Sequence, residues 1–259
     1  MRRTHSLYIG CLILLVSTGI AFPPTSFAQT DEIQVYDAEI NSPGKFNLVW
    51  HNNYTPDGRG QPDFPGGIVP NHSLNGVPEW AYGVTDWLEL GTYLPLYSAT
   101  NGGGFLLNGV KLRALLVVPH AHDLGFFYGI NFELSYNALH WESTRFSGEI
   151  RPIVGGRIGA VDIIFNPIID TSFNGIDELD FAPAIRVAFN FSQTWVGALE
   201  HYSDLGPIRK FNAPADRQQT LFAVADYNGK PDSIEFGIGH GFTAASDKVV
   251  LKLMVMHDF

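Results

Sequence analysis

Along most of this chain apolar and polar residues alternate at every second position, the period of a β-strand with two unlike faces rather than that of a helix. In the segment 126–137, Tyr128, Ile130, Phe132, Leu134 and Tyr136 take one face while Gly129, Asn131, Glu133 and Ser135 take the other. The last segment repeats the design, with Val249, Leu251, Leu253, Val255 and Phe259 opposite Lys252, Met254 and Asp258, and with His257 interrupting the apolar side. The pattern predicts about twelve strands, at roughly 45–54, 77–84, 88–97, 105–118, 126–137, 146–158, 161–171, 178–190, 195–203, 218–227, 232–242 and 248–259. Most are long enough to cross a bilayer as tilted strands. Helices are expected to be scarce or absent.

Alternation alone also suits a soluble sandwich or barrel whose apolar face turns inward. Three features favour a membrane. One face is rich in Leu, Ile, Val and Phe, while the other mixes charges with Gly, as a lumen does. The connections tend to alternate in length: Thr55 to Gly76 is long, Thr85-Asp86-Trp87 short, Ser98 to Gly104 longer and Gly159-Ala160 minimal. Pro119 to Gly125 and Thr243 to Asp247 depart from that rhythm. Finally, the sequence ends on Phe259, in phase with the apolar residues of its strand. Together these predict an all-β fold, an antiparallel transmembrane β-barrel of about 12 strands, with short turns on the periplasmic side and longer loops outside.

Composition supports that reading. Only 16% of residues are charged, beside 27 Gly and 19 Phe, against roughly a quarter charged in soluble domains. At the start, Arg2 and Arg3 precede an apolar run from Leu7 to Val16, and Ser26-Phe27-Ala28 would be cut before Gln29. Residues 1–28 therefore read as a signal peptide and 29–259 as one barrel domain. The run is too short for a spanning helix. Cys11 lies inside it, so the exported part has no cysteine, which excludes disulfides and thiolate metal sites. The formal charge of −10 becomes −12 once Arg2 and Arg3 are removed, which argues against nucleic acid as a partner.

A terminal aromatic residue closing an amphipathic last strand resembles the assembly signal of bacterial outer-membrane barrels. The run Tyr82-Gly83-Val84-Thr85-Asp86-Trp87-Leu88-Glu89-Leu90-Gly91 resembles a hairpin that recurs in poorly characterised proteobacterial exported barrels, some labelled transporter-like or linked to phenol degradation. The resemblance implies a place in the cell outer membrane of a Gram-negative bacterium, among its lipid and lipopolysaccharide. It also implies the barrel-assembly machinery as a partner, acting through the strand that ends in Phe259. It supplies no catalytic residues and no cofactor.

What chemistry remains lies on the inferred inner face. Glu89, Lys111, Arg113, Glu133, Glu149, Arg151, Arg157 and Asp162 are expected to line the lumen, together with Asp180, Arg186, Glu200, Asp226, Glu235 and Lys252. Glu79 and Asp170 share that face. Across the two-residue turn Gly159-Ala160, Arg157 and Asp162 should stand directly opposite each other. Such charges either neutralise one another in a filled interior or line a water-filled path whose acidic excess favours cations. Twelve strands do not decide between these. The functional expectation is a channel or transporter-like barrel for an unnamed small solute, with a closed structural or interaction barrel as the alternative.

A third reading is a lipid hydrolase. His201 and Ser203 share a strand face, and a His beside a hydroxyl can activate it. The stretch Glu200-His201-Tyr202-Ser203-Asp204 loosely resembles the His-x-Ser of outer-membrane lipid A deacylases, with Asp216 as an approximate third member. His120 and His122 with Asp123 could contribute to a metal site but offer too few ligands to close one, so no metal is expected. The tract from Tyr54 to Pro62 suits a mobile outer loop, with inward folding as its alternative. Trp50, Tyr54, Trp80, Tyr82, Tyr93, Tyr97, Tyr128, Tyr136, Trp195 and Tyr202 are expected to form interfacial girdles.

Overall fold

Alternation decides which way each strand faces, and hydrogen bonding to two neighbours decides that the wall must close. The computed structural model describes residues 31–259, so the signal peptide expected at 1–28 lies outside the described residues. The wall strands are β1 (Phe46–Asp57), β2 (Leu74–Gly83), β3 (Leu88–Ala99), β4 (Phe105–Val117), β5 (Phe126–Asn137) and β6 (Phe146–Ile158). They continue with β7 (Val161–Asn166 and Ile169–Thr171), β8 (Leu179–Phe181 and Ala184–Asn190), β9 (Trp195–Asp204), β10 (Gln218–Tyr227), β11 (Asp232–Gly241) and β12 (Val249–Asp258).

Each strand pairs antiparallel with its sequence neighbours, and β1 pairs with β12 from Asn47↔Asp258 onward, so the fold is a closed twelve-stranded barrel. Closure removes the exposed sheet edge that an open sheet would leave. At the seam the Phe259 N–H donates to the Phe46 carbonyl at 3.0 Å, and the two rings meet at 5.4 Å. The expected strands 161–171 and 178–190 are each interrupted, because Pro167 and Pro183 carry no N–H for the ladder.

Among the described residues helix is confined to three short 3₁₀ turns, at Ala121–Asp123, Ile176–Glu178 and Pro214–Asp216. The two-residue turn after β6 is possible because Gly159 takes φ 63°.

The outward face is apolar. In β5, Tyr128, Phe132, Leu134 and Tyr136 are exposed, whereas Asn131, Glu133 and Ser135 are buried. Trp50, Tyr54, Tyr82, Tyr128, Tyr136 and Trp195 are exposed, as girdle residues must be. Two of the expected girdle residues are inside instead. Tyr93 is fully buried, and the Tyr202 hydroxyl donates to Glu200 at 2.7 Å. The reason is parity, since each shares a face with an inner carboxylate of its own strand, Glu89 and Glu200.

The loop after β1 is also not the free outer loop that its Gly and Pro content suggests. Arg59 pairs with Asp63 and, at 3.1 Å, with Asp247. Ile68 is buried against Val77, Tyr93, Leu96 and Trp141, so the loop folds back over the outer end of the barrel.

Candidate functional site

The lumen is not empty. Residues 31–45, which carry no strand pattern, enter at the inner rim beside β1 and run up through the interior. At the rim the Gly44 N–H donates to the Gly83 carbonyl at 2.8 Å, and the Gly83 N–H donates to the Lys45 carbonyl at 3.0 Å. Gly83 is needed there because a Cβ would fall 2.2 Å from the Asn41 carbonyl oxygen. Higher up, the Asn41 N–H and side-chain amide both donate to Glu89 on β3.

The middle of the segment is held as a strand would be, but by a side chain. The Tyr36 N–H donates to Asn166 Oδ1 at 2.7 Å, and Asn166 Nδ2 donates to the Tyr36 carbonyl at 3.0 Å. Asn166 can serve because its side chain, in phase with buried Ile164, faces the lumen. The Tyr36 ring lies 4.5 Å from the Arg151 guanidinium and 5.6 Å from that of Arg113, and its hydroxyl meets that of Tyr93 at 2.5 Å. Val35, Tyr36 and Ala38 pack on Leu115, Phe127, Ile153 and Ile164, while Ile33 packs on Val196, Phe222 and Val250. Parts of the lumen wall are therefore apolar and are covered by this segment, where the sequence pattern predicts charge and glycine.

The charged inner residues gather into networks around it. Arg186 pairs with Glu200 and Asp226 and reaches Glu235 at 3.4 Å. Lys252, 1% exposed, lies 2.5 Å from both Glu200 and Glu235 and donates to the Ile33 carbonyl at 3.2 Å. On the other side Arg113 joins Glu79 at 2.6 Å to Glu89 at 2.7 Å, and Glu79 accepts from His51 Nε2 at 3.0 Å. Lys111 joins Glu133 at 2.9 Å to Asp31 at 3.1 Å, and Arg151 joins Glu149 at 2.6 Å to the Gln34 carbonyl at 3.0 Å. Charges this deep are tolerated because each has partners.

Arg157 and Asp162 face each other across the turn, with Nε 4.0 Å from Oδ1. They sit half-buried at the inner rim, where Arg157 also caps the Ala121 carbonyl at 2.6 Å. His51 and Asn166, both fully buried, went unmarked in the sequence, since a single polar residue on an inner face carries no motif.

Above residues 31–34 the barrel opens into an outer vestibule of about 580 Å³, lined by the outer ends of the strands and by residues of the loops. Eleven carboxylates and three cations line it, the cations being Arg59, Lys111 and Arg151. Asp180 is here rather than in the ion networks below. His201 and Ser203 lie at the outer end of β9, with Nδ1 and Oγ 3.5 Å apart, and no acid pairs with His201 among the described residues. Asp216 instead closes its own 3₁₀ turn. His122 pairs with Asp123 at 3.2 Å in full exposure.

No protein family matches the sequence, and no curated protein does. Solved structures do resemble the fold. The COG4313 outer membrane channel from Pseudomonas putida F1 superimposes with a TM-score of 0.58 at 14% identity, covering 88% of this chain and 100% of that one. The KdgM porin in complex with disordered oligogalacturonate gives 0.53 at 9% identity over 82% and 99% of the two chains. The NanC porin gives 0.52 at 8% over 83% and 98%. With its apolar outer belt, closed wall and charged interior, the chain has the fold of an outer-membrane β-barrel.

Proposed function

We propose that this barrel is a channel for a small solute, closed along its axis by residues 31–45. The observation that carries the reading is the way the segment is held. Its backbone is held by hydrogen bonds exchanged with the side chains of Asn166, Arg151 and Lys252 rather than by a strand ladder, and polar contacts of this kind exchange readily with water, while Ile33, Val35 and Ala38 add apolar contact with the wall. Its departure would open a path between the outer vestibule and the inner rim. The acidic surplus above it favours cations over anions.

The ion networks also favour a second reading, a permanently filled barrel with a structural role, because buried pairs fix a unique arrangement of the interior. Planar-bilayer recording on the folded full chain separates the two. The channel reading expects discrete openings and a reversal potential of cationic sign under a salt gradient. Absence of current above that of a bare bilayer would leave the filled barrel.

A further inference from the structure

Strand register sets carboxylates side by side in the vestibule wall. Glu133 on β5 stands opposite Glu149 on β6, Glu149 opposite Asp170 on β7, and Asp170 opposite Asp180 on β8. Like charges directly opposite each other destabilise a sheet, so a row of four is not there to hold the wall together. Lys111 and Arg151 offset the first two. Asp170 and Asp180 have no cation within ion-pair distance among the described residues. Asp204 and Glu142 face the same cavity.

A second observation comes from the floor. Glu32 lines the vestibule and is only 7% exposed, yet neither of its carboxylate oxygens accepts a hydrogen bond. Its nearest cation, Arg151, is 3.6 Å away and already committed to Glu149 and the Gln34 carbonyl. A buried carboxylate without such bonds is costly, and a cationic ligand reaching the floor would supply them.

We propose that the vestibule binds a linear aliphatic polyamine, its ammonium groups lying along Glu149, Asp170 and Asp180 with one end directed to Glu32. Neighbouring strands are about 4.8 Å apart, close to the spacing of ammonium groups along such a chain. Ile168, Ala182 and Phe222 also line the cavity and offer apolar surface to the methylenes between them. A metal ion has no use for that surface. Moreover, the described residues include no group of three or more His, Cys, Asp or Glu side chains placed to hold a metal. The inference names a solute class for the proposed channel and rests on that reading only for passage, not for binding.

Isothermal titration calorimetry of spermidine into the folded full chain tests it, with propylamine and magnesium as comparisons. Saturable spermidine binding is expected, much tighter than that of either comparison. Asp170→Asn/Asp180→Asn should weaken it by about tenfold, since two partly desolvated ion pairs are lost. The double variant removes repulsion and so should assemble. If it does not, Glu142→Gln carries the same expected direction. No binding by the parent, equal binding by the variant, or displacement by magnesium at equal concentration would overturn the proposal. Binding without conductance would remove the channel and leave the polyamine site, while conductance without binding would do the reverse.

Discussion

Replacing Asn166 by Ala removes both arms of the clamp on Tyr36 at once. The Tyr36 N–H and carbonyl, now bonded at 2.7 and 3.0 Å, would be left without partners in a buried setting. An orphaned buried polar group costs about 1–3 kcal/mol, so with two of them the docked segment loses roughly 2–6 kcal/mol relative to a withdrawn one in which water serves both groups. At about 1.4 kcal/mol per factor of ten, the docked population falls by about thirtyfold to roughly ten-thousandfold relative to the withdrawn one. The wall should be unaffected, because the pairing of Asn166 with Ala184 is made by backbone groups that the substitution leaves in place.

The assay is single-channel recording of the parent and Asn166→Ala proteins, with the heat-sensitive gel mobility of a folded barrel as control for assembly. A large rise in open probability is expected with mobility unchanged. An open probability equal to the parent's, in an intact barrel, would mean that the segment is not the closing element.

Burial pushes the Glu32 carboxyl up to about 7 from its ordinary 4.5, with Glu133 adding to the shift and Arg151, His51 and Lys111 opposing it. The docked segment therefore favours the protonated acid. Docking is strongest below pH 4.5 and weakens, by at most roughly 3 kcal/mol, as pH rises towards 7. Openings should increase over that interval in the parent and not in Glu32→Gln, and a pH-independent parent would contradict the assignment. Lys252→Met leaves Glu200 and Glu235 facing each other without their shared ammonium, a loss of about 3–5 kcal/mol readable in urea unfolding from detergent. Adding Glu200→Gln should recover part of it. Gly83→Ala places a Cβ on the Asn41 and Ser42 carbonyls, so it should raise open probability without altering the seam, and an unchanged recording would argue against the path of the segment at the rim. Ser203→Ala should leave lipid turnover at the parent's level, and a loss of turnover would restore the hydrolase reading.

The wall was legible because its determinants are local. A strand with one lipid face and one inner face writes its period into the sequence, and β10 appears at the very residues, 218–227, that the alternation marks. The same parity places Tyr93 and Tyr202 inside, in phase with Glu89 and Glu200. Residues 31–45 were not legible, because an extended segment anchored through its backbone needs no particular side-chain period. Its partners, such as Asn166 and Gly83, are single residues whose significance depends on what lies across the lumen from them. Likewise the row Glu133, Glu149, Asp170 and Asp180 is scattered over four strands, and only register brings it together.

The vestibule's surplus of carboxylates also determines under which conditions it can be detected. A cavity of about 580 Å³ is of order 8 Å across, comparable to the distance over which physiological salt screens a charge. In molar salt that distance shrinks to about 3 Å, and each carboxylate acts only on what touches it. Recordings in concentrated electrolyte would then report a nearly neutral conduit. Dilute electrolyte, by contrast, would let the whole ring act together and discriminate ions by sign before they reach the floor.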